Sequence, residues 1–190
     1  TSGQQLLWIQ DYYRKVIAGA QGVKLAGSMT VKDWVGAVSP KSISVIPLVE
    51  DMESLLVIDK IITQYLRAVR TRHLRVFIAR SDPALNYGLF CAVLLSKIAL
   101  SRLQVLQEKS AVRIYPIIGV GSMPFRGHLS PDNVKRFLAE YKGLATATTQ
   151  SALRYDYPVE KAKYAVRALN ENLPNGEAVV IGRDEEVFLR

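Results

Sequence analysis

Three apolar stretches punctuate the chain: "ISVIPLVED" at 43–51, "LRVFIARSD" at 74–82 and "RIYPIIGVGS" at 113–122. Each is rich in β-branched residues and ends in a polar or glycine-rich corner. Continuous apolar character, rather than strict alternation, predicts strands buried on both faces, as in a parallel sheet. A weaker fourth strand is predicted at "LATATTQ", 144–150. Helical spacing follows each of them. Met52, Leu55, Leu56, Ile62, Tyr65, Leu66 and Val69 recur at helical intervals after the first stretch, and residues 84–109 read as a long helix after the second. After the third, Ser130 suits an N-cap and Pro131 the first helical position. A last helix is predicted at 158–173, stopped by Pro174 and Gly176.

This alternation predicts an α/β fold with a parallel sheet. About four strand-helix units would make half of a (β/α)8 barrel, and a whole barrel needs around 250 residues where this chain has 190. The expectation is a partial TIM barrel with an N-terminal helical segment. Residues 1–40 form the helical lead-in, 41–176 the β/α units and 177–190 a tail. Pro47 and Pro116 sit within predicted strands, where a missing N–H favours edges or bulges. No internal repeat is evident.

Composition narrows the class without naming a function. Hydrophobic residues make up 49% and charged residues 22%, which excludes disordered and fibrous chains. Cys91 is the sole cysteine, so a disulfide framework and a cysteine-rich zinc site are excluded, and a reducing, cytoplasmic setting is expected. No run of about 18 uninterrupted apolar residues occurs, and the start lacks the plan of a signal peptide, so no membrane partner is expected. The formal charge of +8 fits either a solvated basic surface or a role in drawing in anions. Basic residues are scattered rather than clustered, so nucleic acid is not an expected partner.

Ligands of parallel α/β sheets bind at the carboxyl ends of the strands. Three such corners carry chemistry here: Glu50 and Asp51; Arg80, Ser81 and Asp82; and the loop from Gly119 to His128. Glu50 and Asp82 are candidate ligands for a hard cation such as Mg²⁺, which takes oxygen donors and keeps waters for a substrate to replace. Asp51 is equally readable as a helix cap, and Asp82-Pro83 as an N-cap followed by a first-turn proline. The loop "GVGSMPFRGH" matches neither the P-loop nor the dinucleotide fingerprint. Its glycines could turn N–H groups toward an anion, with Arg126 adding a forked cation, or form a plain β-to-α turn. With two histidines, His73 and His128, a nucleophilic triad has little support.

The blocks "QQLLWIQDYY", "VIPLVEDMESLL", "FIARSDPALNYGL", "YPIIGVGSMPFRGHLSP" and "TTQSALRYDYP" resemble phosphoenolpyruvate carboxylases of the short archaeal-type branch. The likeness spans nearly the whole chain, whereas the family's chains are much longer, so an interior segment of such an enzyme is expected. The resemblance implies carboxylation of phosphoenolpyruvate by bicarbonate, giving oxaloacetate and phosphate through carboxyphosphate and a metal-stabilised enolate, with Mg²⁺ or Mn²⁺. It implies that Glu50 and Asp82 are the metal ligands.

The long branch of the family carries G-R-G-G-T-V-G-R-G where this chain has "GVGSMPFRG". Arg126 matches the second arginine, and the first falls on Val120. A lysine of that branch falls on Leu85. The resemblance therefore implies catalytic and substrate-binding roles for Arg126. Arg80, adjacent to the aspartate corner on the neighbouring strand, is the candidate to supply the missing charge in the same roles. It also points to Gly119, Gly121, Ser122, Gly127 and Gln150 as substrate-binding positions. The family's proton-shuttling histidine lies upstream and further arginines downstream, so the segment by itself is expected to be inactive. The remainder of the barrel is then an expected partner, and exposed strand edges predict a homo-oligomer. Two alternatives remain: another metal-dependent lyase or aldolase acting on pyruvate or phosphoenolpyruvate, or a non-catalytic binding or assembly segment.

Overall fold

The computed structural model describes residues 1–173, 176–182 and 184–185. Its centre is a parallel sheet of four strands in the order β3-β4-β5-β6, comprising Leu48–Val49, His73–Ala79, Arg113–Gly119 and Thr146–Ala147. All four predicted strands are present and parallel. The inner two, β4 and β5, pair along seven residues, from His73 with Arg113 to Ala79 with Gly119. Val76, Ile78 and Ile118 are fully buried and share one face of the sheet. The opposite face is only partly covered, with His73 and Arg75 exposed and Phe77 half-buried although Ile117 is 4% exposed, so burial in β4 alternates and the expectation of strands covered on both faces holds for one face only.

The two prolines are accommodated at ladder boundaries. Pro47 has no N–H to give, and its carbonyl accepts from the Phe77 N–H at 2.7 Å, just ahead of the two paired residues of β3. The Pro116 carbonyl accepts from the Ala145 N–H at 2.9 Å. In an extended strand the N–H and carbonyl of one residue point the same way, so the missing donor of Pro116 faces the side where β6 has not yet begun.

Helices connect the strands. Between β3 and β4 lie α3, Met52–Leu56, and α4, Ile58–Ala68, broken at Val57 (φ −128°, ψ 23°). Between β4 and β5 the single long helix expected at 84–109 is two, α5 at Ser81–Tyr87 and α6 at Leu89–Lys109. The break falls at Gly88, whose φ of 89° lies in the left-handed region that only glycine enters freely. Apolar helical spacing continues across this joint, which is why periodicity alone reads through it.

The helix after β5, α7, spans Val134–Glu140 and starts three residues later than the Ser130-Pro131 signal suggests. The Asn133 N–H closes a turn on the Ser130 carbonyl at 3.1 Å, so these residues form a turn ahead of the helix, and Ser130 is not its cap. The chain then runs through β6 into α8, Ala152–Tyr155, and α9, Val159–Asn172. Pro174, the predicted stop of the last helix, and most of the tail beyond 182 lie outside the described residues. Within the tail, Ile181 N–H donates to the Ser101 hydroxyl at 2.8 Å and ties this segment to α6.

The lead-in begins with α1, Gly3–Tyr12, closed by a capping box of Ser2 and Gln5 and packed on α4. One π-helical and one 3₁₀ turn extend it to Gly22. An unanticipated hairpin follows, β1 at Lys24–Ala26 with β2 at Met29–Thr30, and then α2 at Val31–Val35. Helix α6 has the length and apolar character of a membrane crossing. Its buried stripe of Ala92, Leu95, Ile98, Ala99 and Leu103 lies within the core formed with the sheet and neighbouring helices, the pattern of a core helix.

Candidate functional site

Parallel register brings the carboxyl ends of β3, β4 and β5 to one rim. A cleft of about 410 Å³ opens there between Glu50, Arg80, Ser81, Asp82, Gly119 and Gln150. Its floor is apolar, with Ile46, Leu48, Phe77 and Val120. A larger groove of about 810 Å³ runs along α8 and α9 on the far side of β6 and shares Gln150 with the cleft. It gathers no pair of carboxylates from strand ends, so the smaller cleft is the chemically furnished one.

Glu50 follows β3 and is exposed, with no hydrogen bond or ion pair among the described residues. Its neighbour Asp51 does the capping: its Oδ1 accepts from the Ser54 N–H at 2.7 Å. Burial alone would raise the Asp51 carboxyl, but the hydrogen bonds from Ser54 outweigh it and hold the group below the ordinary carboxylate range. Asp82 lies inside the first turn of α5, whose N-cap position is Arg80 and has no side-chain bond. The capping reading of Asp82 is thus not realised. Its carboxylate is exposed, unbonded among the described residues, and in the cleft with Glu50.

Two oxygen donors from adjacent strand ends fit the donor set of Mg²⁺ or Mn²⁺, which leaves positions for water and a substrate oxygen. No group of three His, Cys, Asp or Glu converges among the described residues, so a closed protein cage is not what this geometry builds.

Arg80 is unlike a surface arginine. It is 1% exposed, yet it forms part of the cleft wall. Its Nε donates to Tyr141 Oη at 2.9 Å and its Nη1 to the Phe125 carbonyl at 3.1 Å. Both acceptors are neutral. No carboxylate among the described residues pairs with it, and Nη2 makes no bond among them. An ion buried without a counter-charge costs several kcal/mol after relaxation, so such groups are normally paired with an opposite charge. Tyr141 is itself 2% exposed, and burial pushes its phenol above the ordinary value despite the nearby Arg80 cation.

The glycine loop folds on itself. Gly121 N–H donates to the Arg126 carbonyl at 2.7 Å, and Leu129 N–H donates to the Gly121 carbonyl at 2.8 Å. Gly127 N–H donates to the Pro124 carbonyl at 3.1 Å, and Val120 N–H to Thr148 Oγ1 at 3.0 Å. Those four N–H groups are spent within the structure, whereas the Ser122 N–H makes no bond among the described residues. Arg126 closes a short 3₁₀ turn, Pro124–Arg126, with its guanidinium 5.5 Å from the centre of the Phe125 ring.

The structure therefore gathers Glu50, Asp82, Arg80, Gly119 and Gln150 around one cleft. Gly121, Ser122, Arg126 and Gly127 lie on the adjoining loop rather than in the cleft wall. Val120 is 2% exposed and packs beneath Gly127. Sequence reasoning passed over Tyr141 and Thr148. Nothing around Tyr141 distinguishes it from a packing tyrosine, while a threonine at the carboxyl end of a predicted strand is at least a polar signal in the right place.

The fold is that of an α/β protein with a parallel sheet and a polar, carboxylate-bearing cleft at its carboxyl rim, the place where parallel α/β sheets bind ligands. The chain belongs to the phosphoenolpyruvate carboxylase family, whose model it matches over residues 1–190. It is 52% identical over 186 residues to a phosphoenolpyruvate carboxylase of Caldivirga maquilingensis, covering 98% of this chain and 36% of the relative. It is 45% identical over 190 residues to that of Metallosphaera sedula, covering 100% and 37%. A similar enzyme of Methanothermobacter thermautotrophicus is 45% identical over 176 residues, covering 93% and 36%. The chain spans about a third of the length of these relatives.

Proposed function

We propose that this segment supplies the metal-binding and phosphate-facing wall of a phosphoenolpyruvate carboxylase, which converts phosphoenolpyruvate and bicarbonate into oxaloacetate and phosphate. The observation that carries the reading is the cleft that Glu50 and Asp82 share with a buried Arg80, which pairs with no carboxylate among the described residues. In this reading the sheet would be half of a (β/α)8 barrel, which is supported by four strands that follow in spatial order without the reversal that marks a doubly wound sheet. The remainder of the barrel would close against β3 and β6. The enzyme works in the cytoplasm, in keeping with a lone free cysteine, and as an oligomer.

Glu50 and Asp82 would hold Mg²⁺ or Mn²⁺, which supplies positive charge where phosphate and enolate oxygens collect negative charge. Bicarbonate oxygen attacks phosphorus, the bond from phosphorus to the enol oxygen breaks, and carboxyphosphate and the enolate result. Carboxyphosphate splits into CO₂ and phosphate, and the enolate carbon takes up the CO₂. Arg80 and Arg126 are the fixed cations along this path; their charges are set before the reaction and need no reorganisation as charge builds. Ser122 and Gln150 add polar contacts, and Gly119, Gly121 and Gly127 let the backbone approach closely.

The test is an oxaloacetate assay with phosphoenolpyruvate, bicarbonate and Mg²⁺ on this chain beside the full-length protein that contains it. Turnover by the full-length protein and none by the segment is expected. Activity without bicarbonate would replace the reading with another lyase or aldolase, and Mg²⁺-dependent binding without product would make the segment a binding or assembly module.

A further inference from the structure

Tyr141 lies outside every motif that identifies the site, at the carboxyl end of α7, yet its oxygen holds the most deeply buried charge in the cleft wall. The phenol is held from its own side by packing: its ring lies 5.2 Å from that of Phe137 at an interplanar angle of 50°, and its N–H donates to the Phe137 carbonyl at 3.0 Å. From this anchored position Oη accepts from Arg80 Nε at 2.9 Å.

A guanidinium is planar, so two separate bonds fix its orientation where one would leave it free to swing. Here the second is the bond from Nη1 to the Phe125 carbonyl at 3.1 Å. Phe125 lies in the loop that carries Arg126, within the turn Pro124–Arg126. Tyr141, Arg80 and the Phe125 carbonyl thus form one line from α7 through the cleft wall to the loop. Arg80 lines both the cleft and a smaller pocket of about 260 Å³ behind the loop, so it stands between the two. Nη2 is left without a protein partner among the described residues.

We propose that Tyr141 is a positioning residue for anion binding in the cleft, acting through Arg80. It holds the guanidinium in the one orientation that both ties down the Arg126 loop and keeps Nη2 for an anionic oxygen. The proposal rests on the reading of the cleft as a phosphoenolpyruvate site.

The experiment is a double-mutant cycle in the full-length protein, with Tyr141→Phe, Arg80→Lys and the pair. Phosphoenolpyruvate binding is measured by calorimetry with Mg²⁺, alongside KM, kcat and the thermal midpoint. The phenylalanine ring keeps the packing against Phe137, so the fold is retained. Tyr141→Phe is expected to weaken binding about five- to tenfold, the net scale of one ordinary hydrogen bond, since the bond to the Phe125 carbonyl still holds the guanidinium. KM rises by the same factor and kcat stays within about threefold. Arg80→Lys weakens binding further, and adding Tyr141→Phe to it changes nothing more, because the interaction is already gone. Unchanged binding in Tyr141→Phe overturns the proposal, as does a loss that multiplies that of Arg80→Lys, or a lowered thermal midpoint with KM unmoved. A parent protein that binds no phosphoenolpyruvate overturns the site reading itself, whereas a parent that binds it equally well with and without the Tyr141 hydroxyl overturns only the positioning role.

Discussion

Gly121 lies directly against Gln150: a Cβ built on residue 121 would run into the Gln150 Oε1, with Cδ at 2.7 Å. The obstruction is the far end of an exposed side chain, which can rotate away. Gly127 presents the opposite case, with φ +96° and a would-be Cβ 2.5 Å from Cγ1 of the buried, branched Val120. Gly121→Ala should therefore leave stability within about 0.5 kcal/mol of the parent while displacing Gln150 from the cleft. Gly127→Ala should cost about 1–3 kcal/mol, from left-handed strain and the contact with Val120. Denaturant titrations of both variants check the contrast, and equal losses would contradict it.

Glu50 and Asp82 are exposed and make no bond to the rest of the described protein. Their neutral isosteres, Glu50→Gln and Asp82→Asn, should leave the thermal midpoint within a degree or two, since no folded-state interaction is lost. Turnover in the full-length enzyme should fall by at least about a hundredfold, with an increased requirement for Mg²⁺. Activity close to that of the parent at low Mg²⁺ would remove them as ligands.

Arg126 is a half-buried cation on a loop whose backbone closes on itself. Arg126→Ala removes a preorganised charge without touching the hydrogen bonds of the loop, because these run through its N–H and carbonyl. A drop in kcat/KM of about a hundredfold or more is expected, equivalent to about 2.7 kcal/mol of transition-state stabilisation. A variant within tenfold of the parent would count heavily against the role.

Burial raises the Tyr141 phenol above its unfolded value near 10. A raised folded-state value means that the native protein binds this proton more tightly than the unfolded chain does. The contribution is complete below about pH 10 and is lost as pH rises from there through the folded-state value. Alkaline unfolding followed by circular dichroism should therefore show a proton-linked decline above about pH 10, which Tyr141→Phe diminishes. An identical alkaline profile in both proteins would assign the decline to other groups.

In the central sheet Ile118 is fully buried between β4 and β6. Ile118→Ala should cost about 2–5 kcal/mol through lost burial and the cavity left behind, measured by chemical denaturation. A loss below about 1 kcal/mol would mean that the sheet collapses around the gap.

Apolar patterning determined the four parallel strands, their order of appearance and the corners that bear Glu50, Asp82 and the glycine loop. Apolar, β-branched runs mark strands in composition even though one face of β4 stays partly open, and the direction of each strand follows once helices intervene. Family likeness, too, was legible in the blocks around those corners. The positions of helix breaks were less so: Gly88 sits in a run whose apolar spacing does not falter, and the turn at 131–133 hides behind a sequence that suits a helix start.

What only the tertiary structure decided was which polar groups meet. The Asp82 carboxylate could have capped its helix, and the folded backbone began the helix two residues earlier, leaving it in the cleft. Arg80 carried no local sign that it would be buried, or that residues 45 and 61 positions away would take its hydrogen bonds. Burial and pairing of a charge depend on the surfaces packed around it, and those are set by distant segments of the chain. Patterning records how a segment meets the core, whereas the partners of a buried charge exist only once the core has formed.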